Sequence, residues 1–269
     1  MPTPPPERRL ALRHHHVQRL RRLLGRRSAR SSERSFVVEG AKVLGEALDA
    51  GVAVESLYLA PGAADPVIER AYAAGVRVHH LEAGVIERVA DTVTPQPILA
   101  VVPYVDRPLA ALRDASFLVV CVDLRDPGNA GTVLRSAEAA GAGGVVCCGG
   151  SVDPYNPKTV RASAGSVFHV PVVVGGYPVE VLEEMSTWGL RRLGATARGG
   201  TVYTASDLVA PVALVLGNEA SGLPPEVGPY LDDELTIPMV GRTESLNVGM
   251  ATAILTFEVA RQRRLAQAA

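Results

Sequence analysis

FLVVCVDLRDPGNAGTVLRSAEAAGAGGVVCC, residues 117–148, reads as a strand, a turn, a helix and a second strand. Residues 117–122 form an unbroken apolar run of the length expected for a buried strand. Pro127 and Gly128 turn the chain, residues 130–140 have helical composition, and residues 144–148 are apolar again. Similar apolar runs follow at 170–174, 190–197 and 212–216, with helical segments at 157–164 and 179–188. Strands apolar on both faces that alternate with helices predict a parallel sheet covered on each side. A long amphipathic stretch, 246–265, closes the chain. Its Met250, Ile254 and Phe257 are expected to face inward, with Arg261, Arg263 and Arg264 at the end where the helix dipole favours cations.

Upstream, a smaller α/β domain is expected over residues 35–104. Val37 and Val38 lead into a helix that stops near Gly51; apolar runs at 56–60, 76–79 and 98–102 are separated by helical segments at 66–74 and 85–90. Residues 105–116 read as a linker and 117–269 as the larger domain. The opening MPTPPPE is expected to be disordered, because four prolines in six residues start neither helix nor sheet. Residues 1–34 read as a basic arm, with a rough helical stripe of Leu10, Val17, Leu20 and Leu24.

The net charge of −1 conceals an asymmetry. Residues 8–34 hold ten arginines and one acid, Glu33; removing these from totals of 27 and 28 leaves 17 basic and 27 acidic residues elsewhere. A cationic arm on an acidic body points to a polyanionic partner, since clustered arginines gain affinity by displacing phosphate counterions. A solvated basic helix is the plainer alternative. The run His14-His15-His16 has no partner ligands spaced around it and is assigned to the arm rather than to a metal.

Other classes are excluded on composition. Apolar residues make up 47% of 269, enough for a sizeable core, yet no run approaches the ~18 apolar residues of a membrane span and no secretory apolar centre opens the chain. Cys121, Cys147 and Cys148 lack metal-type spacing and read as reduced core residues of a cytoplasmic protein. No metal is expected.

Three turns at strand ends carry the candidate chemistry, because open α/β sheets bind ligands at the carboxyl ends of their strands. In the first, Asn129 suits an N-cap for a helix starting at Ala130, and Arg135 suits a surface pair with Glu138; either is also a candidate site residue. In the second, LVLGNEASGLP (214–224), Gly217 permits close approach of a ligand to backbone and Glu219 is a candidate polar anchor. In the third, IPMVGRTESLNVGMATAIL (237–255), Ser245 reads as the N-cap of the last helix or as a site residue. None of these matches GxGxxG or GxxxxGK[ST], which removes the main support for nicotinamide or P-loop chemistry.

Taken in order, the three segments resemble the signature motifs of the SpoU/TrmH family of RNA ribose 2′-O-methyltransferases, within the SPOUT superfamily. The first motif is matched by Asn129 and Arg135, the second by Leu216, Gly217, Glu219 and Gly222, and the third by Ile237, Pro238, Met239, Ser245, Leu246, Asn247 and Val248. Residues 34–60 and 94–102 resemble the start and end of the family's small RNA-substrate-binding domain, of ribosomal-protein-like α/β fold, with Pro97 where the family usually has glycine.

The resemblance implies a parallel-sheet domain with a deep trefoil knot, a homodimer, and S-adenosylmethionine held against Thr196, Gly217, Ile237, Met239 and Leu246. It assigns catalysis to Asn129, Arg135, Glu219, Ser245 and Asn247. Arg135 at its family position is described as the activating base. A guanidinium, however, stays protonated with a pKa above ~12, so stabilising a developing alkoxide or anchoring a phosphate suits it better. The expected substrate is large-subunit ribosomal RNA; transfer RNA, or a non-catalytic role in RNA binding or ribosome assembly, are the alternatives.

Overall fold

The structure, a computed structural model, describes residues 9–90 and 92–268. The proline-rich opening and Arg8 lie outside the described residues. The chain divides into two compact units, the first running to Tyr104 and including Tyr155–Arg161, the second comprising the remainder.

The first unit contains α1 (His15–Gly25), α2 (Arg27–Glu33), β1 (Ser35–Glu39), α3 (Ala41–Asp49), β2 (Ser56–Leu59), α4 (Pro66–Ala73), β3 (Arg77–His80), α5 (Ile86–Val89) and β4 (Ile98–Pro103). Its sheet has the order β1-β4-β2-β3; β4 is antiparallel to both neighbours, and β3 is parallel to β2. The basic segment is not a separate arm. Val17, Leu20, Leu23 and Leu24 of α1 are buried in one cluster with Val37, Tyr58, Leu99 and Val101 of the strands. The arginines dominate the composition of this segment, but the apolar stripe between them determines where it packs. Leu10 extends the assembly by pairing with the chain at Leu81. Tyr155 is fully buried against Phe36 and Tyr104, and Arg161 reaches the buried carboxylate of Glu39, which also accepts from Thr92 Oγ1 and Gln96 N.

The second unit contains β5 (Phe117–Cys121), α6 (Pro127–Ala139), β6 (Gly144–Cys147), α7 (Pro157–Ser163, of which residues through Arg161 group with the first unit), β7 (Val172–Val174), α8 (Pro178–Thr187), β8 (Arg191–Thr196), β9 (Thr201–Val202), β10 (Val212–Leu216), β11 (Asp233–Thr236) and α9 (Val248–Ala268). All seven strands run parallel in the order β7-β6-β5-β10-β8-β11-β9. The apolar runs expected as strands therefore form the sheet, with β5 and β10 buried at its centre. Residues 105–116, expected as a linker, pack into this unit: Leu112 is buried, and a Cβ on Gly144 would come within 2.7 Å of its side chain.

The last helix differs from expectation. Its buried face is Thr252, Leu255, Thr256 and Val259, whereas Met250 is 62% and Phe257 49% exposed, and Ile254 is half-buried. Close packing on α6 is the reason. A Cβ on Gly249 would come within 2.9 Å of Thr132 Cγ2, so small residues occupy the contact and the bulkier ones turn outward. The arginines are not terminal charges either, because the helix continues to Ala268. Arg261 pairs with Glu258, and Arg263 donates to the carbonyls of Ser116 (2.8 Å) and Ala210 (3.1 Å), tying α9 to the sheet.

Candidate active site

The strand order reverses between β5 and β10. From β5 the chain builds outward to β6 and β7, whereas β10 is flanked on its other side by β8 and then β11. Beyond the carboxyl ends of β8, β10 and β11 lies a concave pocket, in the position that parallel sheets reserve for ligands. Its apolar wall includes Leu216, Leu235, Ile237, Met239, Leu246 and Leu255; Thr196, Asn218, Glu219 and Ser245 supply polar groups. All five residues expected to hold the cofactor line it. The Thr196 hydroxyl already donates to Arg198 O at 3.0 Å, which leaves it as an acceptor for a ligand.

Each loop is held open by internal polar contacts. In the 217–222 loop, Asn218 and Gly222 exchange backbone hydrogen bonds at 2.9 Å. Asn218 Oδ1 accepts from Ala220 N and Ser221 N, while its amide donates to Asp123 O at 3.0 Å. A Cβ on Gly217 would collide with the Gly222 carbonyl. Glycine is therefore required by the loop's own closure. Asp123, at the tip of β5, has φ +53°, a left-handed conformation that Asp tolerates better than most residues. Neither Asn218 nor Asp123 is among the expected site residues; an Asx residue in the turn that follows an apolar strand is the signal available for both.

Two caps also differ from expectation. Helix α6 begins at Pro127, and Asp126 is its N-cap, accepting from Asn129 N at 2.8 Å. Asn129 thus falls within the first turn, with its side chain free for other contacts. Helix α9 is capped by Asn247 Oδ1, which accepts from Gly249 N at 2.9 Å, so Ser245 is left exposed at the pocket.

These displacements produce a directed hydrogen-bond chain. Asn247 Nδ2 donates to Asn129 Oδ1 at 2.9 Å, and Asn129 Nδ2 donates to Glu219 Oε1 at 2.9 Å. Its polarity is fixed at both ends. A carboxylate only accepts, so Asn129 must turn its NH₂ to Glu219, and Asn247 must keep its oxygen for the helix amides. Residues 129, 219 and 247, each from a different segment, are thereby joined at the edge of the pocket.

Arg135 stands apart. It lies six residues along α6 from Asn129, roughly 9 Å along the axis, is exposed, and does not line the pocket. The surface pair with Glu138 does not form; among the described residues Arg135 has no hydrogen-bond or ion-pair partner.

The three cysteines are buried and free. Donation of the Cys121 S–H to Cys147, together with burial, holds the Cys121 thiol well above its ordinary pKa, and burial pushes Cys148 up to about 12. Neither is a nucleophile. Among the described residues no cluster of His, Cys, Asp or Glu could hold a metal, and no helix is long and apolar enough to cross a membrane.

Residues 116–257 match the model of the SpoU rRNA Methylase family, and residues 14–100 match that of an MRM3-like substrate binding domain. The chain is 33% identical to the Bacillus subtilis 23S rRNA (guanosine(2553)-2′-O)-methyltransferase RlmP, over 86% of this chain and 90% of that one. It is 31% identical to a 23S rRNA (uridine(2479)-2′-O)-methyltransferase of Streptomyces viridochromogenes, over 96% and 94% respectively. An AdoMet-bound rRNA methyltransferase from Sinorhizobium meliloti superposes with a TM-score of 0.85 at 31% identity, covering 95% of this chain and 97% of that one.

Proposed function

We propose that this chain, which belongs to the SpoU rRNA Methylase family, methylates a ribose 2′-hydroxyl of large-subunit ribosomal RNA, with S-adenosylmethionine as methyl donor. The observation that carries this reading is the chain Asn247–Asn129–Glu219 at the edge of an apolar pocket. When bound, S-adenosylmethionine supplies a methyl group on a positively charged sulfur. The pocket suits it: Ile237, Met239 and Leu246 offer apolar surface to an adenine ring, and the Glu219 carboxylate is a counter-charge for a sulfonium.

The protein's residues then have distinct tasks. Asn129 and Asn247 hold Glu219 and the edge of the pocket in one geometry, which is the alignment that a methyl transfer between two bound partners demands. Ser245 presents a hydroxyl to the same space. Arg135, exposed and free of acidic partners among the described residues, anchors the phosphate beside the target ribose, and the hydroxyl proton passes to a phosphate oxygen or to water.

Exposed Met250 and Phe257, flanking half-buried Ile254, support a homodimer through the outer face of α9. The trefoil knot that the family resemblance implies belongs to the same reading. The first unit grips RNA, and the protein acts in the cytoplasm.

The test is transfer of labelled methyl from S-adenosylmethionine to unmodified RNA, with ribosomal and transfer RNA offered separately and products digested to nucleosides. Label in a 2′-O-methylnucleoside of large-subunit RNA is expected. Label in transfer RNA alone overturns the substrate, and no label with cofactor binding intact overturns the activity.

A further inference from the structure

The described arginines of residues 9–34 do different work in the folded chain. Arg30 is buried and donates to the carbonyls of Leu23 (2.8 Å) and Leu24 (3.3 Å), closing the end of α1. Arg19 is bound by Glu33 and Glu55, and Arg34 lies over the Tyr104 ring, 4.8 Å from its centre. Arg21, Arg22 and Arg26 instead reach a groove in the first unit, where Arg88 of α5 joins them from the other side. Among the described residues no carboxylate lines this groove, whose volume is about 690 Å³. Among the described residues Arg21, Arg26 and Arg88 have no acidic partner. The acid nearest Arg22, Glu33 at 3.7 Å, is already engaged by Arg19.

Four arginines brought to one concavity by separate elements repel one another, and no described residue lining the groove carries a charge that offsets that repulsion. An external polyanion does so. The C-terminal dipole of α1 attracts Arg22 and Arg26 to some degree, but it gives no reason for Arg88 to converge on the same groove.

We propose that the groove between α1 and α5 is a phosphate-binding track for the RNA backbone, with Arg21, Arg22, Arg26 and Arg88 contacting successive phosphates. This deepens the RNA-directed reading above and rests on it. The groove reads backbone rather than base, so it contributes affinity and register without sequence preference.

The test uses the full chain and an unmodified 23S rRNA transcript, with binding measured between 50 and 200 mM salt. Each lost phosphate contact lowers the slope of log K against log salt by about 0.7–0.9. The triple variant Arg21→Gln/Arg26→Gln/Arg88→Gln is therefore expected to lose about 2 to 3 units of slope. Wild-type affinity then falls roughly 20- to 40-fold more than the variant's across that range. Lysines at the same three positions should keep the slope. Lys42→Gln/Arg107→Gln/Arg113→Gln, a matched loss of exposed charge elsewhere, should also leave it unchanged.

An unchanged slope in the glutamine variant overturns the proposal, as does an equal drop in the matched control. A variant that only melts at lower temperature assigns these arginines to the helix end and overturns it as well. The two readings fail separately. Methyl transfer with a groove-independent slope leaves the activity standing and removes the track; a groove-dependent slope without methyl transfer does the reverse.

Discussion

Replacement of Asn247 by aspartate separates two tasks that one side chain performs. Its Oδ1 caps α9, accepting from Gly249 N at 2.9 Å, and its Nδ2 donates to Asn129 at 2.9 Å. Aspartate keeps the capping oxygen and adds a negative charge at a helix N-terminus, so stability should be retained or slightly raised. The second oxygen, however, would face Asn129 Oδ1, acceptor against acceptor. A flip of the Asn129 amide would move the clash to Glu219, because one NH₂ group cannot serve carboxylates on both sides. The hydrogen bond to charged Glu219, or its orientation, is then lost. Such bonds contribute about 1.5–3 kcal/mol, and the partial exposure of this site favours the lower end. If that alignment is needed in the transition state, kcat/KM should fall roughly 10- to 100-fold. Asn247→Ala should lose the same activity together with the cap, about 1 kcal/mol, or roughly 2–4 °C in Tm for a chain of this size. Thermal unfolding and methyl transfer to 23S rRNA, measured on both variants, test the reasoning. An aspartate variant with wild-type turnover would show that the hydrogen-bond chain has no part in the reaction, and an alanine variant with wild-type Tm would show that Asn247 is not the cap.

Arg135→Lys should reduce kcat/KM by about 100-fold with Tm unchanged, since the side chain has no partner among the described residues to lose; near-normal turnover would rule out recognition by the planar guanidinium. Gly217→Ala should displace the 217–222 loop and, at a cost of about 1–3 kcal/mol, weaken S-adenosylmethionine binding measured calorimetrically by roughly 5- to 150-fold; unaltered affinity would refute the loop-closure argument. Burial first, then the charges of His14, His15, Arg77 and Arg19, lowers the pKa of His16, and burial with His16 and Arg77 lowers that of His79, which also stacks near Tyr58. The unfolded chain therefore takes up these protons first as pH falls. Stability should be full above about pH 6.5 and decline as pH falls through that value towards the lower folded pKa, apart from the more acidic window of Glu55. His79→Gln should flatten that decline in denaturant titrations, and an unchanged slope would refute its origin. Phe257→Asp should convert the proposed dimer to monomer in sedimentation analysis; a persistent dimer would move the interface away from the outer face of α9.

Much of the scaffold was legible because local signals and burial agree there. The runs at 117–122, 144–148 and 212–216 are apolar on both faces, as only a doubly covered parallel strand requires, and each becomes a strand. The residues of the pocket wall were legible through motif resemblance, not periodicity. The caps were not, because Asp126, Asn129, Ser245 and Asn247 are all acceptable cap residues. Which one serves depends on where each helix starts, and that is set by packing of α6 against α9. The inward face of α9 was misread for the same reason: Met250, Ile254 and Phe257 have helical spacing, but a close helix contact excludes large side chains.

The sequence by itself determined the α/β alternation, the order of the three turns and the concentration of arginine near the start, because each is a property of neighbouring residues. Tertiary structure decided what those residues do. It placed α1 in the core rather than in an arm, divided the arginines between buried struts and an open groove, and joined Asn129, Glu219 and Asn247 in one hydrogen-bond chain. Those outcomes depend on contacts between residues dozens of positions apart, whose energies exist only once the sheet has brought them within hydrogen-bonding distance.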